Sequence, residues 1–255
     1  MNLKLILLSG QTRTAMTTDI KIPNVLNHNG YKIPLRFRHN ANSKRIILRI
    51  DQENDGALIT IPPNIGAPEV LALINDKAEW LIEKIEALPP RRFLGNCEVF
   101  LLMGDELTIR HLPDARLGVR LIGSEIFVSG REEHLPRRLI DWLKQYARRT
   151  ITPKANEMAS RLNRKIIRIS IRDTKSRWGS CSHRGSLSFC WRLIMAPEWV
   201  LNYVIAHEVS HLVHMNHSSD FWSTVALLEA KPERARKWLN QHGDSLRRVG
   251  PKVNI

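Results

Sequence analysis

The chain has 255 residues, 43% hydrophobic and 25% charged. These are the proportions of a globular protein with room for one large domain or two small ones, and no apolar run approaches the ~20 residues of a membrane-spanning helix. Lys and Arg number 39 against 25 Asp and Glu, a net charge of +14, which attracts polyanions at long range without recognising any one of them.

Three cysteines, Cys97, Cys181 and Cys190, are too few for a disulfide framework. They favour a reducing, cytoplasmic setting. Residues 1–20 have no clear period and form a candidate disordered N-terminus. The apolar run Leu5–Leu8 is shorter than the roughly 7–15 residues of a secretory core segment.

Residues 21–130 are expected to be β-rich with one helix. Apolar and polar residues alternate over 32–38 and 45–50, the DQENDG stretch is a turn, and Ala57–Ile61 is a short apolar strand. Val70, Leu71, Ile74, Ala78, Leu81, Ile82 and Ile85 recur at helical spacing, so one helix is expected over 67–88, ended by Pro89 and Pro90. Short strands follow near 98–103, 106–111, 116–121 and 125–128.

From 131 to 255 the pattern becomes mainly helical. A long helix is expected over about 132–162, kinked or divided by Pro153. Alternation over 166–171, the loop TKSRWGSCSHRG and a second strand over 186–191 read as a hairpin with a long, structured turn. A helix opening near Pro197 carries apolar residues on several sides and is expected to be buried, ending near Met215-Asn216. Helical stretches near 219–229 and 233–242 complete the chain.

The buried helix ends in HEVSHLVHMNH, residues 207–217. His207 and His211 are four apart, so a helix stacks them on one face, where two imidazoles can bind one metal ion. Glu208 lies about 100° round the helix, near that ion without having to ligate it. There it can act as the base that takes a proton from metal-activated water. A catalytic zinc site usually has three protein ligands and an open position. His214 and His217 are the candidates for the third. His217 is preferred, because a ligand arriving from a turn closes a tetrahedron better than three in line along one helix.

Three stretches, SRWGSCS (176–182), LIMAPEWVLNYVIAHEVSHL (193–212) and NHSSDFW (216–222), resemble in order and spacing the YgjP-like metal-dependent hydrolases. The wider SprT-like and zincin metallopeptidases lie behind that family. A weaker likeness in SKRIILRID and ALITIPPN extends the match to about residues 30–245. The resemblance implies an α+β fold: an N-terminal β-rich region followed, over 131–255, by a zincin-like catalytic domain with an HExxH active-site helix. It implies Zn2+ held by His207, His211 and His217, with Glu208 as base. Cys190 departs from it, since Asn is expected there.

Near the site, Arg177 could bind a substrate carboxylate or phosphate, and Trp178 could form a pocket wall or anchor the hairpin. Tyr203 could donate to a developing oxyanion or simply pack. The leading expectation is a zinc metallopeptidase acting on a peptide or protein laid along the edge strand 186–191. One alternative implied by the resemblance is a nucleoside triphosphate (UTP) pyrophosphatase using the same metal. Against it, no glycine-rich phosphate cradle appears. The other is a nucleic-acid-associated protein, bound through the basic surface, whose peptidase activity is stimulated by DNA.

Overall fold

The computed structural model describes residues 22–116 and 118–251. The expectation for residues 1–20 lies outside them. The chain divides into two compact units, Met1–Pro89 and Pro90–Ile255. The fold is mixed α+β, with sheets followed by helices.

The first unit is a four-stranded sheet with two helices. Strands β1 (Val25–His28), β2 (Tyr31–His39), β3 (Ile47–Asp51) and β4 (Gly56–Ile61) run in the order β1-β2-β4-β3, with β2 and β4 parallel. Alternation in β2 buries Ile33 and Leu35 against Ile59 of β4. The expected single helix is two, α1 (Ala67–Asp76) and α2 (Ala78–Glu86), separated at Lys77. Both bury their apolar stripes in the same core, through Val70 and Ile74 on one and Ala78 and Leu81 on the other. A stripe shared across the break reads from sequence as one continuous period.

The second unit opens with β5 (Arg92–Phe93). The strands β6 (Val99–Leu102), β7 (Asp105–Leu112), β8 (Val119–Ile122) and β9 (Glu125–Ser129) follow, in the order β6-β7-β9-β8. Next comes α3 (Leu135–Arg161), a helix of 27 residues. Pro153 does not divide it. The residue is exposed, so the carbonyl deprived of its partner lies on the solvent side.

Two expectations for residues 166–191 are corrected. Strands β10 (Arg168–Arg172) and β12 (Ser186–Cys190) are parallel, not a hairpin. Between them in sequence lies β11 (Gly179–Cys181), which pairs antiparallel with β12. The order β10-β12-β11 makes β12 the central strand, so 186–190 offers no free edge. The free edges belong to β10 and β11.

A 3-10 segment, Trp191–Met195, leads into α4 (Glu198–Ser210). α4 is buried on nearly every side, through Val200, Leu201, Val204, Ile205, Ala206 and Val209. It packs on α3, on β11 and on the helices that follow, α5 (Ser219–Leu228) and α6 (Pro232–Arg247). The chain closes with β13 (Val249–Gly250), parallel to β5.

Candidate metal centre

α4 ends earlier than its sequence suggests. Its last residue is Ser210 and His211 is the cap, with φ −65° and ψ −13°. Asn216 is not in the left-handed conformation expected of a helix-ending Asn. The exit is a tight turn: Leu212 N–H donates to Val209 O at 2.9 Å, and the N–H groups of Val213 and His214 both donate to Ser210 O at 3.0 Å. The Ser210 hydroxyl donates back to Ala206 O at 2.7 Å. Ser218 then caps α5 by accepting the Phe221 N–H. Residues 211–218 thus fold back over the end of α4.

This fold-back brings His217 to His207 and His211. The three ring centroids lie 4.9–5.1 Å apart. One potential ligand atom from each ring lies within 4.8 Å of the other two. His217 Nε2 is 3.2 Å from His207 Nε2. The ring of Phe221, fully buried, underlies all three imidazoles with centroids 4.6–5.0 Å away. Trp222 stacks on His217 at 5.8 Å.

Hydrogen bonding sets which nitrogens are available. His211 Nδ1 lies 2.9 Å from the His214 carbonyl. A carbonyl only accepts, so Nδ1 carries the proton and Nε2 keeps its lone pair. His214 therefore contributes its backbone to the cluster, and His217 contributes the third ring. Three imidazole nitrogens at these separations fit a divalent transition ion such as zinc.

The family model described as "YgjP-like, metallopeptidase domain" matches residues 44–242, well over half of the chain. The chain belongs to the YgjP-like family. It is a metal-dependent hydrolase with a metallopeptidase domain. The crystal structure of the metallopeptidase zymogen of Pyrococcus abyssi abylysin is similar at 22% identity over 39% of this chain and 98% of that one, with a TM-score of 0.34. None of the curated proteins matches the YgjP-like chain.

In this YgjP-like domain His207 and His211 are half-buried and His217 is exposed. Burial pushes His207 down to about 4, and the charges of His211 and His217 add to the shift. Burial lowers His211 as well. The lowered values favour the neutral form of His207 and His211, the state that can ligate. Glu208 is 6% exposed. Burial raises its carboxyl to about 7, and the positive charge of Arg177 opposes that rise. Beside it runs β11, whose Gly179 leaves no room for a side chain. A β-carbon there would lie 2.6 Å from Glu208 Oε1 and 2.7 Å from its Cδ.

The remaining residues singled out by sequence take different places. Arg177 is exposed, with its charge felt at Glu208. Tyr203 lies edge-on to His207, with centroids 6.1 Å apart, and burial raises its phenol to about 12, so the hydroxyl keeps its proton. Trp178 points to α6, under the Arg247 guanidinium. Cys190 is buried and its thiol donates to Thr174 O, while Cys181 lies beside Glu208 on β11. Sequence reasoning passed over Gly179 and the floor that Phe221 makes for the three rings. The WGSCS motif carried the first signal, and spacing from His217 to Phe221 the second.

Among the described residues, no helix is long and apolar enough to cross a membrane.

Proposed function

We propose that this YgjP-like domain is a zinc peptidase, with His207, His211 and His217 as ligands and Glu208 as general base. The observation that carries the reading is the convergence of three imidazoles beside one buried carboxyl group. When bound, zinc supplies Lewis acidity: it acidifies a water molecule and polarises the carbonyl under attack. The Glu208 carboxylate accepts a proton from the attacking water and returns it to the leaving amine. A carboxyl raised to about 7 is matched to that exchange near neutral pH. Tyr203, which keeps its proton, is available as a hydrogen-bond donor to the developing oxyanion.

The free edge of β11 supports a peptide as substrate. An extended chain added there would gain main-chain hydrogen bonds next to Glu208 and bind with little dependence on sequence. Three free cysteines accord with a reducing, cytoplasmic setting.

The test loads purified protein with zinc and screens it against peptides, with UTP tested in parallel for pyrophosphate release. The expected result is peptide cleavage that is lost in Glu208→Gln, while that variant still holds one zinc per chain. Cleavage by Glu208→Gln at the wild-type rate, or release of pyrophosphate without peptide cleavage, would overturn the reading.

A further inference from the structure

The loop over 173–178, which leads into β11, is held by side chains far away in sequence. Arg247, the last residue of α6, donates from Nη1 to Lys175 O at 2.7 Å and to Thr174 O at 3.4 Å. The same guanidinium lies 4.1 Å over the Trp178 ring. Gly243, one turn earlier on α6, makes space for that indole, since a β-carbon there would sit 3.3 Å from Trp178 Cζ2. On the other side, Cys190 donates its thiol to Thr174 O at 3.4 Å and its N–H to Trp178 O at 2.8 Å. Arg192, buried, pairs with Asp173 and donates from Nε to Val249 O at 3.1 Å.

The contacts of Arg247 run to Thr174, Lys175 and Trp178 on the loop before β11. Arg247 thus holds Trp178, and the next residue, Gly179, is the one packed against Glu208. We infer that Arg247 is a positioning residue: by clamping Thr174, Lys175 and Trp178 it sets the distance between the backbone of β11 and the Glu208 carboxylate. The inference rests on the proposed role of Glu208 as base. A planar guanidinium can bridge two carbonyls and stack on an indole at once, which an ammonium cannot do.

The experiment compares the zinc-loaded full-length chain with Arg247→Ala, Arg247→Lys and Glu208→Gln. Steady-state kinetics on a cleaved peptide, zinc content and hydrogen exchange are measured for each. Arg247→Ala is expected to retain zinc, to exchange faster over 174–182 but not over α4, and to lose kcat by about 10–100-fold with a smaller change in KM. Arg247→Lys is expected to fall between, and added guanidinium ion to restore part of the lost kcat in the Ala variant alone.

Wild-type kcat in a folded Arg247→Ala would overturn the inference. So would a loss of kcat without faster exchange over 174–182, or one that follows zinc loss. If the Ala variant does not fold, Arg247→Lys decides by the same two readouts. Failure of the underlying reading looks different: Glu208→Gln then cleaves as wild type does, while the exchange result still reports on the clamp.

Discussion

Gly179 on β11 packs its backbone directly against the side chain of Glu208, with no space for even one methyl group between them. The strand edge and the carboxylate are therefore built as one unit. Moving either moves the other.

Gly179→Ala is accordingly expected to damage turnover while sparing the metal. The added carbon would lie 2.6 Å from Glu208 Oε1, so the carboxylate or β11 must shift. A displacement near 1 Å at a reacting group costs about 100-fold in rate. The check is kcat/KM for a cleaved peptide beside zinc content. A variant as active as wild type would show that the two groups need not touch.

Glu208 should also make metal-free protein less stable as pH rises. Its carboxyl is raised from 4.5 to about 7, so the folded chain binds the proton more tightly than the unfolded one. That contribution is complete below pH 4.5 and is lost as pH climbs through 7. The full shift corresponds to about 3 kcal/mol. Glu208→Gln resembles the neutral acid. In chelator it should be more stable than wild type at pH 8.5, by roughly 1–3 kcal/mol, and no more stable at pH 4. Urea denaturation at the two pH values measures this, and an equal difference at both would contradict it.

The cysteines should differ in reactivity. Burial pushes the Cys181 thiol up to about 11, with the Glu208 charge adding to it. Very little thiolate exists at pH 8 at that value. Cys97 is exposed and should be alkylated by iodoacetamide first. In Glu208→Gln, labelling of Cys181 should speed up by a few fold. Peptide mass spectrometry over a time course reads both. Labelling of Cys181 as fast as Cys97 in the wild-type protein would count against the arrangement.

How much of this was legible in the sequence depended on distance along the chain. His207, Glu208 and His211 lie within about one helical turn, so spacing alone puts the two histidines on one face with the carboxylate beside it. His217 follows within a short turn, and its choice over His214 rested on tetrahedral geometry. The helix exit was misread because Leu212 and Val213 continue an apolar pattern after the backbone has turned. β11 was invisible, being three residues with no period, and its insertion made a parallel pair look like a hairpin. Arg247 and Gly243 lie some 70 residues from the loop they hold, and no local pattern joins them to it.

The proposed ligands are all contained in residues 207–217, between the end of α4 and the cap of α5. Loop-closure entropy grows only with the logarithm of the span, so bringing these three rings together costs the chain little. Pairings such as β5 with β13 join opposite ends of the second unit and form slowly by the same reasoning. Ion capture during refolding thus needs only two adjacent helices, and added zinc should accelerate the local docking of α5 on α4 more than the final closure of the termini.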